Sequence, residues 1–406
     1  MNYTVQTLYG KIKNGTQTIS VPGSKSITAR ALLIATVAHG VSVLKGVQFS
    51  EDCQNFLNCI NGLGIKTEVD GTTVKVYGCG GKLPVKSAKI NVGSAGTAAR
   101  FVTAFLAFCD GEFLIDSSEQ MKKRPQEPLI NALKNMGATF KFLERENAFP
   151  FIIKGAKNPN LNLQVNIDKS SQYLSALLIS AVCANAPVKV QVSGSHGLDY
   201  VNMTVKMMRS FGVNTQIDGA IYCVEGQYKG VEYDIEPDIS AACYFYAINK
   251  ICNTNISVEG VNAYSMQGDY KFIELIKNFN GGRVDMSAFS DQALTLAAVA
   301  PYLEKPTEIC GVAHIRGQES NRIAAIVENL TAMGVRVEEY EDGVKIYPST
   351  PHGAKIKTFG DHRVAMAFAV CGTVTQSIEI ENCEVCGKTF KEYFSVLTAL
   401  TNKIIN

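Results

Sequence analysis

Lys25 and Arg30 lie in the run Val21-Pro22-Gly23-Ser24-Lys25-Ser26-Ile27-Thr28-Ala29-Arg30, just ahead of an apolar stretch over 31–38. Pro22 and Gly23 interrupt the chain, Ser24 and Ser26 are helix-capping types, and the apolar stretch reads as the helix body. Such a helix start presents free N–H groups, the positive end of the macrodipole and two cations, a combination suited to phosphate or carboxylate. A capped helix with solvated Lys and Arg reads the same way in isolation. A Walker loop does not fit, because Ser24 stands where Gly must precede the Lys.

Comparable groups recur along the chain. Gly93 and Gly96 in 91–100 allow a ligand close to the backbone ahead of Arg100. Lys122, Lys123 and Arg124 precede Pro125, which on their own would suit a solvated loop. Lys169-Ser170-Ser171-Gln172 offers two hydroxyls and an amide. Asp291 opens an apolar helix in Phe289-Ser290-Asp291-Gln292. Glu319 and Arg322 sit together in Gln318-Glu319-Ser320-Asn321-Arg322. Phe359-Gly360-Asp361-His362-Arg363 precedes an Ala/Val/Met helix, and Gly387-Lys388-Thr389 precedes the last one. Cations on both halves of the chain, with Asp291 and Glu319 as acid–base candidates, fit a ligand carrying several anionic groups.

The elements that must position these residues form a repeat. One helix type opens on small polar or charged residues and continues as an apolar body, starting near Ser24, Ser94, Ser170, Asp238, Ser290 and Asp361. A second, amphipathic type covers 53–63, 128–136, 201–211, 270–280 and 321–333, each followed directly by Gly, and a last copy covers 391–400. Gly there suits a left-handed cap. Strand-like runs follow at 65–69, 138–142, 213–217 and 335–339, and Asp70-Gly71 and Asp342-Gly343 turn the chain into second strands. Six α/β units of roughly 50–75 residues predict two domains of three units, with the polar helix openings converging on one cleft.

Composition narrows the classes. The 406 residues are 46% hydrophobic and 19% charged, with a formal net charge of +2, which speaks against a general nucleic-acid or membrane-surface binder. The start of the chain lacks the pattern of a secretory signal, and the longest apolar runs, such as 174–184, fall short of the roughly 18 residues of a membrane span. A cytoplasmic protein is expected. Twelve scattered cysteines read as buried thiols, the lone Cys383–Cys386 pair lacks a second pair at zinc spacing, and five histidines show no ligand pattern. No metal or cofactor is expected.

Together, PGSKSITAR, GSAGTAAR, the Arg124-Pro125 loop, SSQYL, SMQGD at 265–269 and GDHRVAMAFA resemble the 5-enolpyruvylshikimate-3-phosphate (EPSP) synthase, or 3-phosphoshikimate 1-carboxyvinyltransferase, family. The resemblance spans nearly the whole chain. It implies a two-domain inside-out α/β barrel, each domain three βαβαββ units. The domains would be 21–235, mainly for shikimate 3-phosphate, and 1–20 with 236–406, supplying acid–base and phosphoenolpyruvate-binding residues; a strand at 4–8 would join the second. The implied reaction is attack of the 5-hydroxyl of shikimate 3-phosphate on C2 of phosphoenolpyruvate, with protonation at C3 and then loss of phosphate. By resemblance Lys25, Ser26, Arg30, Ser170, Ser171, Gln172, Tyr200 and Asp291 hold shikimate 3-phosphate. Lys25, Gly96, Arg124, Arg322, Arg363 and Lys388 hold phosphoenolpyruvate. Asp291 is then the base at the 5-hydroxyl, Glu319 handles the proton at C3, and Lys25 lies between both substrates. A cytoplasmic monomer acting on small molecules, with no nucleic-acid or membrane partner, is implied.

Some positions depart from the family pattern. Gln318 replaces a usual Lys beside both substrates, His314 a frequent Asn and Ala29 another. Residues 194–199 lack a Ser at the place where the family's meets the substrate phosphate, leaving Ser193 or Ser195. Gln carries no charge and no transferable proton, so an active enzyme with altered kinetics is expected. The alternatives are a homologue that binds shikimate 3-phosphate with impaired catalysis, and the related UDP-N-acetylglucosamine enolpyruvyl transferases.

Overall fold

The computed structural model describes residues 1–8 and 15–405. The chain divides into two units, Gly23–Glu236 and the combination of Met1–Pro22 with Pro237–Asn406.

In the Gly23–Glu236 unit, three helices are apolar almost all round: Lys25–Val37, Gly96–Phe108 and Gln172–Ser180. A helix without a polar face must be surrounded, and these three pack on one another. Three four-stranded sheets and the amphipathic helices Glu51–Gly62, Glu127–Met136 and Leu198–Ser210 complete the unit. Each sheet has one parallel pair and a following antiparallel hairpin. Ser87–Asn91 runs parallel to Glu112–Asp116, which pairs antiparallel with Phe151–Lys154 and through it Thr139–Phe142. Asn162–Asn166, Val188–Ser193, Ile221–Val224 and Thr215–Asp218 repeat that order. In the remaining sheet the parallel partner of His39–Lys45 is Glu232–Asp234, the last strand of the unit, so its end returns to its beginning.

In the other unit the apolar helices are Ile239–Cys252, Ala293–Val299 and His362–Gly372, again in mutual contact. The amphipathic helices are Tyr270–Asn278, Arg322–Ala332 and Tyr393–Ile405. One sheet has the full order Gly282–Asp285, Thr307–Cys310, Gly343–Ile346, Val337–Tyr340. The amino-terminal segment supplies two more strands. Thr16–Ile19 lies parallel to Asn255–Val258, and Tyr3–Thr4 antiparallel to Glu379–Ile380. The expected strand at 4–8 is thus shorter and earlier: Val5 and Leu8 are buried instead, with their N–H groups on the Ile378 and Thr373 carbonyls.

Four strands start later than their sequence pattern, for one reason. After the amphipathic helices, Gly64, Gly137, Gly212 and Gly334 have positive φ. The next residue then turns its N–H back onto the helix: Ile65 onto Ile60, Ala138 onto Leu133, Val213 onto Met208 and Val335 onto Leu330, at 2.9–3.1 Å. This is the six-to-one bond of a Schellman cap. An N–H spent there cannot join a sheet, so pairing begins at Thr67, Thr139, Thr215 and Val337.

All twelve cysteines are free thiols, buried except for Cys79, Cys223 and Cys383. Burial pushes thiols such as Cys109, Cys243 and Cys371 above their usual range and so keeps them protonated. Among the described residues no helix is long and apolar enough to cross a membrane.

Candidate active site

The polar helix starts of the Gly23–Glu236 unit adjoin one another. Ser24 caps the first helix, its Oγ accepting from the Ile27 N–H at 3.4 Å. Ser26 is not a cap but a first-turn residue, because the Ser24 backbone is still extended and Lys25 already helical. Lys25 Nζ lies 3.4 Å from Asp52, in the first turn of Glu51–Gly62. A small pocket is lined by Lys25, Asp52, Ala95 and Thr97, and Thr97 Oγ1 accepts from Gln172 Nε2 at 3.2 Å. Ser170 Oγ accepts the Gln172 N–H at 3.3 Å, and Gly197 packs against the Ser171 side chain.

Arg30 is only 2% exposed. Nε donates to Thr204 Oγ1 at 2.7 Å, Nη1 to the Ser26 carbonyl at 3.0 Å, and Nη2 to the Tyr200 carbonyl at 3.1 Å. The guanidinium therefore ties together Ser26 and Tyr200, two other expected substrate contacts. Burial pulls its pKa down to about 10, so it stays charged at neutral pH. Arg100, equally buried, donates to the Gly96 carbonyl through Nη1 and to the Pro125 carbonyl through Nη2, both at 3.0 Å. Burial and then the neighbouring Arg124 bring its pKa to about 9. Among the described residues neither Arg30 nor Arg100 has a carboxylate partner. A buried charge without a counterion is costly, and the arrangement is the complement of an anion.

The second unit carries a different cluster, in which charges are matched. Arg322, first residue of its helix, donates from Nε to Asp361 at 2.8 Å and from Nη1 to Asp291 at 3.0 Å. Arg363 donates to the other oxygen of Asp291 at 2.9 Å. Burial works against the Arg322 charge, but Asp361 and Asp291 overcome it and raise its pKa. Burial likewise opposes the Asp361 charge, yet Arg322 outweighs it and holds the carboxyl below the usual range. Asp361 also caps its helix, accepting the Arg363 N–H at 2.9 Å. Glu319 takes His362 Nδ1 at 2.8 Å and Lys388 Nζ at 3.2 Å, in surroundings where all three side chains are at least nine-tenths buried. His314 Nε2 meets Ser290 Oγ at 2.8 Å. Gln318 ends the turn Ala313–Gly317 directly before Glu319.

Among the described residues, the one His and carboxylate group close enough to share a metal ion is Glu319, Asp361 and His362. Its oxygens already face Lys388 and Arg322, whose charges would oppose a cation there.

Of the expected site residues, Lys25, Ser26, Arg30, Gly96, Arg124, Ser170, Ser171, Gln172 and Tyr200 belong to the Gly23–Glu236 unit. Asp291, His314, Gln318, Glu319, Arg322, Arg363 and Lys388 belong to the other. Sequence reasoning passed over Asp52, Thr97, Asp361, His362 and Asp269 as site members. Asp361 and His362 stood in a quoted motif without a role. Asp269, in SMQGD, accepts from Ser240 Oγ and from Gln292 Nε2 at 3.3 Å. Ser240 in turn receives Arg363 Nη2 at 3.4 Å. Burial, then the charge of Asp291, raises Asp269 to about 6. Gln267 of the same motif holds the Ile239 N–H at 3.1 Å and the Pro237 carbonyl at 2.8 Å, bracing that helix start.

Comparison with known proteins agrees over the whole chain. Residues 10–397 match the family model for EPSP synthase (3-phosphoshikimate 1-carboxyvinyltransferase). The 3-phosphoshikimate 1-carboxyvinyltransferase of a Nostoc species is 38% identical over 403 residues, 93% of this chain and 95% of that one. The enzyme numbered 2 of Halalkalibacterium halodurans is 37% identical, covering 94% and 91%. The solved EPSP synthase of Acinetobacter baumannii superposes with a TM-score of 0.83 at 22% identity, covering 99% of this chain and 98% of that one. Two units with apolar helices inside and sheets around them share that enzyme's fold. With the ordered motifs, the matched carboxylate–guanidinium cluster and these similarities, the chain belongs to the EPSP synthase (3-phosphoshikimate 1-carboxyvinyltransferase) family.

Proposed function

We propose that the two charge clusters divide the work of the family reaction, transfer of the enolpyruvyl group from phosphoenolpyruvate to the 5-hydroxyl of shikimate 3-phosphate with release of phosphate. The observation that carries the division is the burial of Arg30 and Arg100 with no carboxylate partner among the described residues, against the balanced pairs around Asp291 and Glu319. The first cluster binds anions; the second moves protons and also lends cations to phosphoenolpyruvate.

In this reading Ser26, Arg30, Ser170, Ser171, Gln172 and Tyr200 hold shikimate 3-phosphate, with Lys25 reaching both substrates. Gly96, Arg124, Arg322, Arg363 and Lys388 hold phosphoenolpyruvate. Arg322 and Arg363 both pair with Asp291. When phosphoenolpyruvate draws on those guanidiniums, Asp291 becomes the stronger base and takes the proton of the 5-hydroxyl as its oxygen attacks C2. Glu319, between His362 and Lys388, delivers a proton to C3. Loss of phosphate from the tetrahedral adduct, with a C3 proton returning to Glu319, restores the enol ether, and the proton taken by Asp291 leaves with the phosphate. The cations stabilise the charge on the departing phosphate. No cofactor enters these steps. His314, bonded to Ser290, and Gln318, beside Glu319, also contact substrate in this reading.

Both substrates are highly charged small molecules that do not cross membranes unaided, which fits a cytoplasmic enzyme; the family resemblance adds a monomer without macromolecular partners. The test is phosphate release from the purified chain: release requiring both substrates supports the reading. Binding of shikimate 3-phosphate without turnover, or turnover with UDP-N-acetylglucosamine, overturns it.

A further inference from the structure

Tyr173 is the second residue of the helix Gln172–Ser180 and is completely buried. In sequence it is a core residue of an apolar helix. Its hydroxyl, however, reaches a different segment and donates to the Pro125 carbonyl at 2.8 Å. The same carbonyl accepts Arg100 Nη2 at 3.0 Å, so both of its lone pairs are used.

Pro125 directly follows Arg124. Its ring fixes φ, and its carbonyl is held from two sides. Ahead of it, the Arg124 N–H is fixed on the Met121 carbonyl at 3.1 Å. The backbone of Arg124 is therefore pinned before and after. Its guanidinium then lies over Gly96, close enough that a Cβ built on Gly96 would fall 2.5 Å from Nη1. Tyr173 also follows Gln172, whose side chain is bonded to Thr97, next to Gly96.

We propose that Tyr173 is a positioning residue for Arg124, through which the helix start that holds shikimate 3-phosphate sets the aim of a phosphoenolpyruvate-binding guanidinium. The proposal rests on the assignment of Arg124 to phosphoenolpyruvate. A merely structural hydroxyl would satisfy a buried carbonyl and nothing more. Here Arg100 already satisfies that carbonyl, so the second donor adds direction rather than rescue.

The experiment is steady-state kinetics on the full-length chain, with each substrate varied at saturation of the other. Tyr173→Phe keeps the ring that fills the core and deletes one hydroxyl. Tyr228→Phe is the control, since the Tyr228 hydroxyl is buried in the same unit without a hydrogen-bond partner among the described residues. Arg124→Gln reports on the underlying assignment. The expected result is a rise of about fivefold in KM for phosphoenolpyruvate in Tyr173→Phe, the scale of one lost hydrogen bond. KM for shikimate 3-phosphate then matches that of Tyr228→Phe. A larger rise in the same constant is expected for Arg124→Gln. An unchanged KM for phosphoenolpyruvate in Tyr173→Phe, with the rise present in Arg124→Gln, overturns the proposal alone. Parallel rises in both Michaelis constants with a lowered melting temperature also overturn it, because they mark a structural role. No change in Arg124→Gln overturns the site assignment and the proposal with it.

Discussion

Arg322 and Asp361 form a buried pair, Nε to Oδ2 at 2.8 Å and Nη2 to Oδ1 at 3.4 Å, across 39 residues of sequence. The pair joins the first residue of one helix to the cap of another, and Arg322 extends from it to Asp291. The orientation of the proposed base thus depends on a carboxylate that need not touch substrate.

Removing one partner of such a pair leaves the other charged and buried. Asp361→Ala is expected to cost about 3–5 kcal/mol in urea unfolding. The pH dependence has a definite sign. The folded-state carboxyl lies below its ordinary value of 3.8, so its contribution is present above that pH and is lost as the pH falls through the lower folded value. Wild-type and Asp361→Ala stabilities should draw together on acidification below about pH 4. A constant difference down to pH 2 would refute the assignment.

Asp269 has the opposite sign. Its folded-state value is raised from 3.8 to about 6, so it favours the folded state below 3.8 and loses that contribution as pH rises through about 6. Asp269→Asn keeps an oxygen for Ser240 and Gln292 but cannot ionise. Its stability relative to wild type should increase between pH 4 and 7, measured by thermal melts across that range. A flat difference would count against the burial argument.

Gln318 stands directly before Glu319 without the charge that the resemblance leads one to expect. Gln318→Lys is expected to lower KM for phosphoenolpyruvate about tenfold, the scale of one charge-assisted hydrogen bond. Initial rates at saturating shikimate 3-phosphate read this directly. If neither KM nor kcat moves, Gln318 is not beside the substrates.

Gly96→Ala would place a methyl 2.5 Å from Arg124 Nη1 and 2.8 Å from Arg100 Nη1. One of these side chains must move. Phosphoenolpyruvate binding is expected to weaken several-fold while shikimate 3-phosphate binding, titrated by calorimetry without phosphoenolpyruvate, is retained. Equal loss of both would show that Gly96 serves the whole unit rather than one ligand.

Much of the site was legible because its chemistry is local. Lys25 behind Ser24 and Arg363 behind Asp361 stand at the starts of apolar helices, and Arg322 behind Glu319 at the start of an amphipathic one, where N–H groups are free. The repeat was legible from apolar bodies and the glycines that end the amphipathic helices. What stayed hidden depends on distance in sequence. Nothing in 172–180 shows that Tyr173 reaches Pro125, and nothing near Asp269 shows that Ser240 links it to Arg363. The late strand starts were missed because the pattern of Ile65 or Val335 suits a strand, while the N–H of each is already bonded to a helix.

The strands Tyr3–Thr4 and Thr16–Ile19 pair with Glu379–Ile380 and Asn255–Val258. On the ribosome the earlier pair emerges first, yet its partners are synthesised only after the whole Gly23–Glu236 unit, which closes on itself through its own last strand. That inserted unit can complete its sheets during translation, whereas Thr16–Ile19 must wait for Asn255–Val258 and Tyr3–Thr4 for Glu379–Ile380, their edges unsatisfied until then. Synthesis speed through residues 237–380 therefore sets how long this edge is open to wrong partners, a burden that falls on the half of the molecule proposed to move protons.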